Sequence, residues 1–522
     1  MWLKCVLVWC ALQLCASERV LVAFPVAKRS HTLLGDHLVR TLYHAGHNVT
    51  YITTFTRLKP GERLTLIDIS SVSSDTTDEG SSFLPGFISS RLPPHQFLLA
   101  GTQAADRALR QPAVQALLLD PAAGFDLVLA DWHYSGLLAP LAAVFGCPLV
   151  WYSGEDASWL SVRLVHEAAG AAVLADPWAR ALPSLPPSAP DRAARLARQA
   201  YLQAWLYYIT HYVETPAYYE IYQLALQRRG LSPPAYEELV YNASLLLHNS
   251  HPLLGQALPL PSNAHYVAGH HIHGAAGTLS KSLQTILDNA KHGVIYFNLG
   301  GSVSEELPLG MKQQLLRAFR QLEQTVLWRH RGPLDHVPGN VLLVDKVSQQ
   351  AVLKHPNTVI MITHGGFLSY LEAMYCGVPI IGMALEEEHL LTLELATTRG
   401  RGLRVPRSGT MGYHIKDAVI EILGNFSYRS NARQVSAILQ QRLVAPQQEL
   451  LYWLQLVMST AGAPHLRSPV LHLTVMERYH LDVIALAIML YWFLTKVAKL
   501  VKVYWDDWGA TEREQYDDKK NE

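Results

Sequence analysis

"TVIMITHGGFLSYLEAMYCGVPIIGM", residues 358–383, decides the fold. Its first apolar run stops at a histidine and two glycines. A segment with helical spacing follows, "FLSYLEAMYC", and a second apolar run, "VPIIGM", closes the unit. Short apolar runs separated by a helix predict buried parallel strands joined by a crossover. The alternation starts upstream, where "GVIYFNLGG" (293–301) is a strand ending in a glycine turn. A helix is predicted over about Met311 to Gln324, then strands at "TVLW" and "NVLLV" and a short helix at "QQAVLK". Such alternation predicts an α/β, doubly wound parallel sheet.

The first half shows the same grammar. "RVLVAF" (19–24) is a strand, "PVAKRSH" a loop, and Leu34, Leu38 and Leu42 fall on one helical face. "NVTYIT" follows Gly46 as the next strand. A later strand, Phe125 to Ala130, runs into "DWHYSG", and "CPLVWY" is another. Two such domains in tandem are expected. The Pro-, Ala-, Arg- and Tyr-rich stretch from Asp176 to Tyr236 reads as helical excursions of the first. "HPLLGQALPLPSNAHYVAGHHIHGAAG" (251–277), rich in Pro and Gly, reads as a linker.

A length of 522 residues exceeds one ordinary core. Lys plus Arg equals Asp plus Glu at 43 each, so no broad basic face for nucleic acid is advertised. The N-terminus, "MWLKCVLVWCALQLCAS", has a lysine, an apolar run and small residues, the pattern of a signal peptide over 1–17. Beyond it only Cys147 and Cys376 remain, which excludes a disulfide scaffold. From Leu481 to Val497 only Asp482 and Lys496 are charged; Lys499 and Lys502 follow, among Tyr491, Trp492, Tyr504 and Trp505. Apolar length, basic flank and aromatic belt predict one membrane span with the short tail in the cytosol. The expected boundaries are signal 1–17, first domain 18–250, linker 251–280, second domain 281–465, juxtamembrane 466–480, span 481–501 and tail 502–522. Sequons at Asn48, Asn242 and Asn425 are candidate glycosylation sites.

Ligands of open parallel sheets bind beyond the carboxyl ends of the strands. His31 and Asp131 both fall there, and a histidine held by a carboxylate is a tuned general base; His133 is a rival at the same strand end. In "ITHGGF", glycines permit close approach and the helix N-terminus favours phosphate. Glu372, eight residues after His364, could accept from ribose hydroxyls. "GGSV" (300–303) is a second glycine turn on that edge, and GxGxxG is lacking. "HHIHG" (270–274) invites a metal, yet no Cys or Asp partner stands at ligand spacing, and no metal is expected.

Taken together, "SH" (30–31), "FDLVLAD" (125–131), "KHGVIYFNLGG" (291–301), "QQAVLKHP" (349–356), "ITHGGFLSYLEAMYCGVP" (362–379) and "GAPHLRS" (462–468) resemble the UDP-glycosyltransferases. Leu368-Ser369 looks more like invertebrate members than vertebrate glucuronosyltransferases. The likeness runs from the N-terminus to the tail. It implies a GT-B fold, two Rossmann-like domains facing a cleft, plus one C-terminal transmembrane helix. It implies an inverting hexosyltransferase of the endoplasmic reticulum, body in the lumen, moving a sugar, glucose rather than glucuronate, from a UDP-sugar to a small lipophilic acceptor. No cofactor is implied beyond the UDP-sugar co-substrate. His31 would be the base and Asp131 its orienting partner. Gly300, Ser302, Lys346, Gln349, His364, Gly366, Ser369, Glu372, Glu388 and His389 stand at donor-site positions.

Several positions depart from the family. Lys346 replaces the tryptophan that lies against uracil, and base stacking is worth about 1–3 kcal/mol. Ser348 replaces a proline, Gly301 a serine, and Glu388-His389 the Asp-Gln pair that holds the sugar. The alternative reading is therefore a membrane-anchored binding protein on the same fold, with impaired or altered donor use. An unrelated single-pass ectodomain fits the parallel-sheet pattern poorly. A homo-oligomer is not excluded, and the acceptor is not legible.

Overall fold

The computed structural model describes residues 17–72, 93–166, 178, 188–272, 277–300, 307–406, 408, 410–468, 475–478 and 480–521. The expected signal peptide, apart from Ser17, lies outside them.

The first sheet has seven parallel strands in the order β3-β2-β1-β4-β5-β6-β7. They are β1 Arg19–Phe24, β2 Asn48–Thr53, β3 Leu64–Asp68, β4 Leu127–Asp131, β5 Leu149–Ser153, β6 Leu245–His248 and β7 Ala264–Tyr266. The second has six parallel strands in the order β10-β9-β8-β11-β12-β13. These are β8 Val294–Asn298, β9 Thr325–Arg329, β10 Val341–Val344, β11 Thr358–Thr363, β12 Ile380–Gly382 and β13 Gly402–Arg404. Central strands such as β4, β5 and β8 are buried throughout, as sheets covered on both faces require. Strand order reverses between β1 and β4, and again between β8 and β11. Crevices open at such switch points. Residues after β1 and β4, and after β8 and β11, therefore converge on ligand-binding edges.

Three boundaries differ from the sequence reading. The stretch read as a linker, 251–280, contributes β7, which pairs with β6 through Leu246–Ala264 and Leu247–His265. Its Pro and Gly punctuate a strand of three residues, too short to show a period. Second, the Pro446–Ser459 helix falls in the segment assigned to the second domain, yet its Leu450, Leu454 and Val457 join the core of the first, with Leu34, Leu38 and Val39. The chain thus returns to the first domain before it leaves the body. Third, His31 lies inside the Arg29–His44 helix, not in the loop before it.

Residues 468–522 form a separate unit. Its helix runs Leu481–Asn521, continuing through the expected tail. Leu481–Asp506 is, by length and composition, apolar enough to cross a membrane. Leu486, Ile488, Leu490 and Phe493 stand exposed on it.

Candidate active site

The β1–β4 switch point brings His31 to Asp131. β1 pairs with β4 through Ala23–Ala130, so the first turn of the Arg29–His44 helix starts above the end of β4. His31 Nδ1–H donates to Asp131 Oδ2 at 2.6 Å, with both residues buried. Burial opposes a charge on the ring, but the Asp131 charge and hydrogen bond outweigh it and raise the His31 pKa. Nδ1 is committed, leaving Nε2 as the basic nitrogen. The rival His133 meets His31 edge-on, ring centres 4.8 Å apart. Burial, then the Lys28 charge, holds His133 well below the ordinary histidine range.

On the second sheet, β11 ends at Thr363 and the Phe367–Tyr375 helix begins after His364-Gly365-Gly366. Gly365 has φ +95°, and a Cβ there would also strike Leu393 at 2.7 Å. A Cβ on Gly366 would come within 2.5 Å of His364 Nε2, so the imidazole sits against the helix entrance. Among the described residues no side chain caps that N-terminus, whose N-cap is Gly366. Its first-turn N–H groups can thus turn to an anion. Burial pushes His364 down to about 4, so it is neutral near pH 7 and offers an N–H without a charge.

Gln349 opens the Gln349–Lys354 helix. Its Nε2 donates to Glu372 Oε2 at 2.6 Å and to Ser369 Oγ at 3.4 Å, and Asn298 Nδ2 donates to its Oε1 at 2.6 Å. Gln350 Nε2 donates to Glu372 Oε1 at 2.9 Å, and His271 Nε2 stands 3.4 Å from that oxygen. Burial works against the Glu372 charge, but His271 and the two glutamines hold its carboxyl below the usual range. Sequence reasoning missed Asn298, Gln350 and His271. The glutamine doublet was a usable signal; His271 was hidden in a histidine run read as linker. Gly300, at φ +94°, donates its N–H to Asn298 Oδ1 at 3.0 Å. Lys346 is exposed. Ser302 and Gly301 lie outside the described residues.

Glu388 and His389 begin the Glu388–Thr398 helix. Lys28 of the first domain donates to Glu388 Oε1 at 3.0 Å and stands 3.7 Å from Glu386 Oε2. Burial disfavours the Glu388 charge, yet Lys28 and the neighbouring histidines hold it well below the ordinary range. Burial pushes Glu386 up to about 7 against the pull of Lys28. His389 meets His364 edge-on with ring centres 4.8 Å apart, and burial takes it down to about 3. Glu386, Glu388 and His389 offer ligand atoms within 4.8 Å of one another, where a cation could bind, but the Lys28 ammonium already supplies positive charge there. Lys28 was missed too; a lone lysine three residues before His31 was its only mark.

A cavity joins the two halves. Trp132, His133, Tyr134, Ser153 and Glu155 line it from the first domain, and Phe367, Glu388, Leu391, Thr392 and Leu395 from the second. Of the sequons, Asn242 and Asn425 are exposed, whereas Asn48 lies in β2 and donates through Nδ2 to Ser17 Oγ at 3.1 Å. Asn425 caps the Phe426–Gln440 helix.

Residues 193–511, more than half of the chain, match the family described as UDP-glucoronosyl and UDP-glucosyl transferase. UDP-glycosyltransferase UGT5 of Dactylopius coccus is 29% identical over 265 residues, a match covering 50% of this chain and 50% of that relative. UDP-glucosyltransferase 2 of the same organism is 26% identical over 511 residues, covering 93% of this chain and 94% of the relative. Among solved structures, the calicheamicin glycosyltransferase CalG4 is similar with a TM-score of 0.55 and 18% identity, over 85% of this chain and 99% of that one. That last likeness is one of fold, the GT-B arrangement of two Rossmann-like domains.

Proposed function

Because the chain belongs to the UDP-glucoronosyl and UDP-glucosyl transferase family, and is thereby a glycosyltransferase, we propose that it moves a neutral hexose from a UDP-sugar to a hydroxyl of a small lipophilic acceptor, with inversion. The observation that carries the proposal is the buried His31–Asp131 hydrogen bond at the carboxyl ends of β1 and β4. His31 Nε2 takes the proton of the acceptor hydroxyl as its oxygen attacks the anomeric carbon. The bond from that carbon to the diphosphate breaks, and UDP departs with the electron pair. Asp131 fixes the ring and stabilises the imidazolium. The His364 N–H and the N–H groups after Gly366 receive the leaving charge, where preorganised donors act most strongly. Gln349, Ser369 and Glu372 form the ribose side, and Glu388 with His389 the sugar side. No metal or further cofactor enters the scheme.

A neutral hexose is favoured over a uronate because Glu386 and Glu388 share the sugar end with Lys28. A sugar carboxylate there would meet like charge. The apolar C-terminal helix, its basic flank and the apolar N-terminus support a single-pass protein of the endoplasmic reticulum, body in the lumen, acting in conjugation or detoxification. One observation favours a second reading, a binding protein with altered donor use: Lys28 already occupies the carboxylate of Glu388.

The experiment uses the full chain in detergent, with UDP-glucose or UDP-glucuronate and 4-ethylphenol, and product detected by mass. Glucoside formation exceeding glucuronide is expected. UDP-glucose binding without transfer to any of a panel of phenols and alcohols would support the second reading.

A further inference from the structure

The cavity beside His31 contains a group that sugar transfer does not use. Glu155 lies two residues beyond the end of β5, on the acceptor side, and its surface opens to the cavity. Around it aromatic and aliphatic faces, Trp132, His133 and Tyr134 from the loop after β4 and Phe367 and Leu391 from across the cleft, alternate with polar groups such as Asp156 and Thr392. Tyr134 takes φ 62°, a left-handed backbone that tyrosine seldom adopts, and its ring stands 5.5 Å from that of Trp132.

The charged groups nearby are already engaged. Lys28 serves Glu388 and Glu386. His31 serves Asp131. Asp156 accepts from Ser250 Oγ at 2.6 Å and from the Gln256 N–H at 2.8 Å. The Glu155 carboxylate makes no hydrogen bond or ion pair among the described residues. A carboxylate with no hydrogen-bonded counter-ion among the described residues, beside aromatic faces, suits an organic cation, since ring faces and carboxylate attract it together.

We infer that this cavity selects acceptors carrying a protonated amine beside their hydroxyl, with Glu155 pairing to the ammonium and Trp132 and Tyr134 flanking it. The inference rests on the transfer reading and names its acceptor class. Enclosure in the cleft, then the Glu388 charge, pushes Glu155 up to about 7, while Lys28 and His31 pull it down. An aliphatic amine stays charged to about pH 10. Preference for the amine therefore strengthens as pH rises through about 7.

The test compares 4-(2-aminoethyl)phenol with 4-ethylphenol, using full-length protein and UDP-glucose. The amine is expected to lower KM about tenfold, the effect of one well-placed ion pair. Glu155→Gln should bring the ratio of the two KM values close to one. Glu155→Lys should reverse the preference, toward 3-(4-hydroxyphenyl)propanoate, a result that a misfolded variant could not give. Equal KM values for the two phenols in wild type, or a ratio unchanged in Glu155→Gln, would overturn the inference. Calorimetric titration of both phenols reads the same preference without turnover. An enzyme that binds the amine tenfold more tightly but transfers no sugar would contradict the transfer reading and uphold this one.

Discussion

Lys28 and Glu388 stand 360 residues apart in sequence and 3.0 Å apart in the cleft. One precedes the helix that carries His31; the other opens a helix of the second domain. The pair ties the position expected to hold the sugar to the element that carries the proposed base, His31. Lys28 is 39% exposed at its side chain, so the pair is worth roughly 1 kcal/mol or less in stability. Its consequence is positional. Lys28→Met should raise KM for the UDP-sugar about fivefold, equivalent to about 1 kcal/mol, with a much smaller effect on binding of UDP alone. In the Lys28→Met background, Glu388→Gln should cost less than it does alone. Fully additive effects would show that the two act independently.

The pH dependence follows from His31. Its folded pKa is raised, and in the proposed role of base it works only when neutral. Activity should therefore fall as pH drops through a midpoint above 6.5, the ordinary histidine value. Stability runs the other way: the charged pair contributes fully below the unfolded pKa, and that contribution fades as pH rises through the raised folded value. A kcat/KM profile with an acidic limb centred well below 6.5 would contradict the assignment.

Lys346 is exposed at the place where the family sets an aromatic ring. Lys346→Trp should tighten UDP binding by about 1–3 kcal/mol, the usual value of a base stack. Isothermal titration with UDP reads this directly. Unchanged or weaker binding would mean that uracil lies elsewhere.

The Pro446–Ser459 helix returns to the first domain, with Leu450, Leu454 and Val457 fully buried against it. Leu454→Ala should destabilise the body by about 2–5 kcal/mol, as large-to-small changes in cores do. Denaturant unfolding of a protein ending at Arg467 is the measurement. A loss under 1 kcal/mol would show the helix to be dispensable.

Much of this was legible before the structure. Strands such as "RVLVAF" and "TVIMIT" announce themselves because both faces are buried and the apolar runs are unbroken. His31, Asp131 and His364 stand out as candidates because strand ends in parallel sheets point to a shared edge. The Lys28–Glu388 pair was not, because it joins distant segments and no local pattern encodes it. His271 was misread for a related reason: a histidine run in a Pro- and Gly-rich stretch looks like surface until tertiary packing puts it against Glu372. The return of the Pro446–Ser459 helix was equally invisible, since an amphipathic face does not say which core it will join.

The most direct test is sugar transfer by full-length wild type and His31→Ala, with UDP-glucose and 4-(2-aminoethyl)phenol, alongside UDP-glucose binding to both. The account predicts that both proteins bind the donor and that transfer by His31→Ala falls by about 10²- to 10⁴-fold, the usual share of a general base. Transfer by His31→Ala at the wild-type rate, or no UDP-sugar binding by wild type at millimolar concentration, would contradict it.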